Sequence, residues 1–260
     1  MGQVALASPV PGLVLTQVSR LPSPPASADA GYCQRLLITP ATEAGALARD
    51  LGWAVTAELK LGPYDAVSFA GGFEAGTSGS CRLIDGNVGI FERDRLVHLV
   101  YAEPDAELGI GRIEPFETTG IRIWSGDFLP QPIADLHEDE NGTVSLEMPA
   151  ALERFCEGEA EVPNIYGMPI AQARSILADH GWLPFRSILP GQEADPRSQA
   201  LLQAGMTEVE TCSGTGFGYC SLLYEGQFAR LSVTSVGEGD AAITPPVAGY
   251  AVSCALPGGS

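Results

Sequence analysis

The chain has 260 residues, with 14 Lys and Arg against 32 Asp and Glu, a net charge of −18 and a pI near 4.4. Acidity of this degree argues against nucleic acid and anionic lipid as partners, and no apolar run reaches the roughly 18 residues of a membrane span. Six cysteines scattered without CxxC pairs, beside only three histidines, lack zinc-knuckle spacing and are read as disulfides.

The start, MGQVALASPVPG, has neither a charged leader nor a long apolar core, and is read as a mature or recombinant start from which an export signal has been removed. Residues 1–30 are rich in Pro, Ser and Ala (LPSPPASADA) and are expected to form an extended, poorly ordered arm. Order is expected from Gly31-Tyr32-Cys33. A helix follows, with Thr39 as N-cap, Pro40 at its first position and Ala44, Leu47, Ala48 and Leu51 on one face. Gly52 stops it and Trp53 opens a strand. Strands are expected at 53–61 and 64–73 about a Gly62-Pro63 turn, and at 80–84 and 88–92 as a hairpin about Asp85-Gly86. Further strands are expected at 95–102, 111–116, 121–125 and 143–148. Together, residues 31–150 read as a β-rich α+β domain, a half-barrel or sandwich with one helix.

Residues 151–161 (ALERFCEGEAE) read as an acidic hinge or short helix, and 162–260 as a second α+β domain. In VPNIYGMPIAQARSILADHGW, residues 162–182, Pro169 suits a helix start, and Ala173, Ile176, Leu177 and His180 share a face. Gly181 stops the helix and Trp182 opens a strand to 188. The stretch pairs with the first helix at one offset of 129 residues, through Pro40 and Pro169, Ala44 and Ala173, Leu47 and Ile176, Asp50 and Asp179, Gly52 and Gly181, and Trp53 and Trp182. Either a duplication or shared local physics accounts for this. The same 21 residues resemble the opening of a PASTA repeat, with Pro169 where that family has a capping serine. The resemblance implies a small α+β shape and peptidoglycan as a ligand. Beyond it, a polar loop at 189–196, a short helix at 198–204 and strands at 208–212, 219–224, 229–236 and 249–254 complete the chain.

Six cysteines leave many connectivities open; the set adopted is Cys33–Cys81, Cys156–Cys254 and Cys212–Cys220. The last pair would staple a hairpin tip, CSGTGFGYC, whose glycines suit positive φ and whose Thr215, Phe217 and Tyr219 suit contact. A phosphate cradle is disfavoured there, because the tip leads into a strand and not a helix. His137 to Met148 resembles an EF-hand loop at Asp139, Asn141 and Gly142 but lacks the bidentate glutamate at its end, so an Asn-Gly turn is preferred and no metal is expected. No nucleophile–base pair is evident for His98, His137 or His180, and Gly76-Thr77-Ser78-Gly79-Ser80 fails the spacing of a nucleophile elbow. Glu114 and Glu117 are the sort of carboxylate pair any acidic chain offers. Trp124 and Tyr166 are the candidate exposed aromatics.

These observations point to an exported, periplasmic or extracellular α+β protein of two domains, each a short helix on an antiparallel sheet with internal disulfides. Its expected role is non-catalytic recognition at the cell envelope, with peptidoglycan or an envelope protein as partner, no cofactor, and Tyr166, Thr215, Phe217 and Tyr219 as binding residues. Two alternatives remain open. One is a protein inhibitor or partner-binding module, whose tandem helix-plus-sheet layout resembles that of the β-lactamase-inhibitor proteins. The other is an envelope hydrolase with an unrecognised site.

Overall fold

The computed structural model describes residues 5–6, 9–25, 30–117, 119–188, 193–237 and 245–254. They form a mixed α+β chain of few helices and several antiparallel sheets, with the three disulfides Cys33–Cys81, Cys156–Cys254 and Cys212–Cys220 in place. Two compact units divide it, Met1–Pro149 and Ala150–Ser260.

In the first unit the strands are β1 (Ala5–Leu6), β2 (Leu13–Gln17), β3 (Ala54–Leu61), β4 (Tyr64–Ala70), β5 (Gly72–Ala75), β6 (Cys81–Ile84), β7 (Asn87–Glu92), β8 (Arg95–Ala102), β9 (Ile110–Phe116), β10 (Gly120–Ser125), β11 (Pro132–Glu138) and β12 (Val144–Glu147). One helix, α1 (Glu43–Asp50), lies between β2 and β3. A six-stranded sheet in the order β1-β2-β8-β7-β4-β3 faces a four-stranded sheet in the order β12-β11-β10-β9, while β5 and β6 pair apart. Period-2 alternation sends Val88, Ile90 and Val100 into the space between the sheets, where they meet Ile113, Ile121, Ile123 and Leu136. The opposite face of the larger sheet buries Val67, Phe69 and Leu99 against Ala44 and Ala48 of α1, with Leu21 and Trp53. Across the four-stranded sheet Arg122 forms a buried bidentate pair with Asp135 (2.8 and 2.9 Å) and lies over the Phe116 ring.

Several expectations are corrected. The arm expected at 1–30 contains β2, which pairs with β8 and buries Leu13 and Leu15; its apolar alternation outweighs the Pro-rich stretch after it. The N-cap of α1 is Thr42 and not Thr39: its hydroxyl accepts from Gly45 N–H at 3.0 Å, and Glu58 of β3 accepts from Ala41 and Thr42. Leu51 falls beyond the helix and is exposed. Asp85-Gly86 does not join a hairpin. β6 pairs with β5, and β7 with β4 and β8, so the chain changes sheets there. Gly86 is required because a Cβ would sit 1.7 Å from the Ile110 carbonyl oxygen. A strand that the sequence did not announce, β11, runs through the acidic residues before the Asn-Gly turn, hidden from pattern reading because Asp135 is buried by its pair with Arg122.

The second unit begins with a hairpin where an acidic hinge or short helix was expected. β13 (Leu152–Phe155) pairs with β14 (Ala160–Pro163) around Cys156, Glu157 and Gly158, all at positive φ. Then come α2 (Ile170–Asp179), β15 (Leu183–Pro184), α3 (Pro196–Gln203), β16 (Val209–Cys212), β17 (Cys220–Glu225), β18 (Ala229–Ser235) and β19 (Val247–Cys254). The sheet runs β15-β17-β18-β19, with β16 sharing the β17 edge beyond β15, which leaves the strand expected at 182–188 only two paired residues. Ile170, Ala173 and Leu177 pack on Leu222, Leu231 and Val233, whereas His180, expected on the buried face, is exposed. Arg174 of α2 holds the buried Glu208 at 2.7 Å, and the Tyr224 hydroxyl donates to the same carboxylate at 3.1 Å. Burial, then the Glu208 charge, drives the Tyr224 phenol well above its usual range.

The two helix stops are alike in detail. Trp53 N–H donates to Ala48 and Trp182 N–H to Leu177, after Gly52 and Gly181 at positive φ. Each indole N–H then reaches back to an earlier carbonyl, Pro22 at 2.7 Å and Glu161 at 2.9 Å, and each ring lies against a glycine, Gly71 or Gly226.

Candidate functional site

Cys212 and Cys220 face each other across β16 and β17, and their disulfide closes the tip of residues 213–219. Gly216 and Gly218 take φ of 75° and 63°, conformations L side chains rarely adopt, and turn the chain inside that short ring. Ser213 N–H donates to the Tyr219 carbonyl at 2.7 Å and its hydroxyl to Thr215 at 2.8 Å. Gly237 N–H donates to the Phe217 carbonyl at 2.9 Å. From α3, the Arg197 guanidinium donates to the Ser213 and Gly237 carbonyls. Asp195, the N-cap of α3, accepts from Ser198 and from Cys212 N–H at 3.0 Å. Burial raises its carboxyl, and the Ser198 and Cys212 hydrogen bonds outweigh that and hold it below the usual carboxylate range. Thr215 and Tyr219 are exposed and Phe217 half-buried, its ring edge-on to Tyr219 at 6.0 Å. Burial lifts the Tyr219 phenol above its ordinary range.

Tyr166 stands in the turn before α2, its ring 4.4 Å from that of Tyr250 on β19. The Tyr250 hydroxyl donates to the buried Glu153 at 2.8 Å. The register places this pair and the tip at the same end of the sheet. Cys220 pairs with Ser235, Ser235 with Val247, and Gly167 N–H donates to the Val247 carbonyl. At about 4.8 Å per strand, the tip base and the Tyr166 turn lie roughly 14 Å apart.

The other candidates are not drawn together. His98 is on β8, with Nδ1 buried and without a hydrogen-bond partner among the described residues, and burial lowers its pKa. His137, the first position of the EF-hand-like stretch, lies on β11 opposite Ser145. His180 ends α2 with Nδ1 on the Ile176 carbonyl. In the acidic turn Asp139 Oδ1 accepts from Asn141 and Thr143 N–H, both at 2.8 Å. The Thr143 N–H lowers its pKa most, against a smaller desolvation that raises it. That carboxylate caps a β-turn, and among the described residues no group of three His, Cys, Asp or Glu is arranged for a metal. Trp124 sits at a register shift of β10.

No known family matches. Neither a protein-family model, a curated protein nor a solved structure shows significant similarity to this chain. Sequence reading also missed a cleft of about 640 Å³ in the first unit, bordered by Thr16, Asn87 and Tyr101. Its residues come from β2, β7, β8 and the loops beside them, a gathering that no local motif announces.

Proposed function

We propose that this is an exported, non-catalytic recognition protein of the cell envelope, which contacts peptidoglycan through the end of the second unit that bears the tip and Tyr166. Three disulfides fit an oxidising, extracellular or periplasmic setting, and among the described residues no helix is long and apolar enough to cross a membrane. The observation that supports the reading most is the locked tip. A disulfide, Arg197 and Asp195 fix its backbone while Thr215 and Tyr219 stay exposed. A loop already held in one conformation loses little entropy on binding, which is how a small aromatic surface becomes an effective contact. The PASTA-like wording of residues 162–182 supplies the ligand class.

The oxidised protein should co-sediment with purified peptidoglycan sacculi at low and at physiological salt. Replacing Tyr219 or Tyr166 with Ala should weaken retention about tenfold, the scale of one aromatic contact. No retention at either salt, or retention that neither variant changes, would sink the proposal.

A further inference from the structure

We infer that the first unit binds a neutral saccharide in its 640 Å³ cleft, on the face of the six-stranded sheet that α1 partly covers. The volume lies inside the roughly 300–1,000 Å³ of small-molecule sites. Its walls are fixed by the protein's own bonds. Trp53 Nε1 holds the Pro22 carbonyl at 2.7 Å, pinning one wall to the strand behind it. Asn87 Nδ2 donates to the Asp85 carbonyl at 2.7 Å, beside Gly86, which touches the Ile110 carbonyl. Glu103 N–H donates to the Gly12 carbonyl at 2.9 Å and sets the loop that forms the far side.

The lining selects against simple ions. Arg20 brings a positive charge and Asp85 and Glu103 bring negative ones, so neither an anion nor a cation meets a site of one sign. Tyr101 offers a hydroxyl and Asn87 an amide, groups that donate and accept at once. Thr16 is 2% exposed, and its Oγ1 has no hydrogen-bond partner among the described residues. With that oxygen closed to solvent, Thr16 belongs to the floor of the cleft, and the polar contacts fall to Tyr101 and Asn87. Leu99, Pro22 and the Trp53 ring supply apolar surface beside these groups. A ligand that matches has hydroxyls, which both donate and accept, around an apolar C–H face and no net charge. That is a sugar ring.

The assignment stands apart from the tip of the second unit, and its test is separate. The oxidised full-length protein, isotopically labelled, is titrated with glucose, N-acetylglucosamine and cellobiose, with diglycine and inorganic phosphate as controls, while amide resonances are followed. At least one sugar should shift the amides of Thr16, Asn87, Tyr101 and Glu103 saturably, with both controls silent. Tyr101→Phe, which removes only a hydroxyl, and Arg20→Gln at the rim should each weaken that sugar about tenfold while leaving the remaining spectrum in place. Silence with all three sugars, shifts equalled by diglycine or phosphate, or unchanged affinity in both variants would overturn the assignment.

Discussion

Asp195 serves two elements with one carboxylate. It caps α3 through the Ser198 N–H and fixes the base of the tip through the Cys212 N–H. Since these hydrogen bonds hold its pKa below the ordinary value, the folded state binds the proton less well than the unfolded one. The stabilisation is therefore complete above the unfolded pKa and lost as pH falls through the folded one. The Cys212 amide should lose protection relative to its intrinsic exchange rate below about pH 4, with the amides of β7 in the first unit as the internal reference. Asp195→Ala should remove the acid dependence at Cys212 and cost about 1 kcal/mol, the usual worth of an N-cap. An unchanged pH profile in that variant would show that the tip is held by its disulfide and Arg197 alone.

At the scale of elements, two hairpins of one sheet place different residues at a positive-φ position. β3 and β4 turn through Gly62 at φ 55°, followed by Pro63, whereas β7 and β8 turn through Arg93 at φ 61°, followed by Asp94. Glycine is favoured at that first central position, and an L side chain there costs roughly 1–2 kcal/mol. Arg93 is exposed, and its replacement loses no buried contact. Arg93→Gly should therefore stabilise the fold by about 0.5–1 kcal/mol, after the added freedom of glycine in the unfolded chain, read as a higher denaturant midpoint at unchanged m-value. A lower midpoint would mean the turn tolerates Arg93 without strain. The first of these hairpins was legible because its signal is local: Gly62-Pro63 lies between two apolar strands, and the second followed from the strands read at 88–92 and 95–102. Asp85-Gly86 was read as a hairpin turn and proved to be a change of sheet, with Gly86 against the distant Ile110 carbonyl. β11 was hidden for a related reason, since the partner that buries Asp135 is 13 residues away. The helix stops at Gly52-Trp53 and Gly181-Trp182 read correctly because their backbone hydrogen bonds are local, although the indole contacts to Pro22 and Glu161 are not. Of the candidate sites, the tip could be read from nine contiguous residues. The cleft could not, since Thr16, Asn87 and Tyr101 meet only through strand pairing.

At the scale of the molecule, the disulfides are unevenly shared. Cys33–Cys81 lies in the first unit, which also has two apolar layers, one between its sheets and one under α1. The second unit is smaller and relies on one core and two disulfides, of which Cys156–Cys254 joins the turn of its first hairpin to the end of its last strand. That bond closes a separation of 98 residues, against 8 for Cys212–Cys220. In the chain-entropy account the longer loop constrains the unfolded state more, and its loss costs about 4–5 kcal/mol, against roughly 2–3 for the short one. Cys156 is half-buried and Cys254 exposed, while Cys212 and Cys220 are buried, so the bond that stabilises most is also the one a thiol reaches first. Mild reduction should therefore act on Cys156–Cys254 and open the second unit before the first. Hydrogen exchange followed through a titration with reductant checks this directly. Protection should fall in β13, β14 and β19 while β7 and β8 keep theirs, and Cys156→Ser with Cys254→Ser should reproduce that pattern without reductant. Loss of protection in β7 and β8 at the same reductant concentration would mean that the two units unfold as one, and that Cys156–Cys254 has no separate hold on the second.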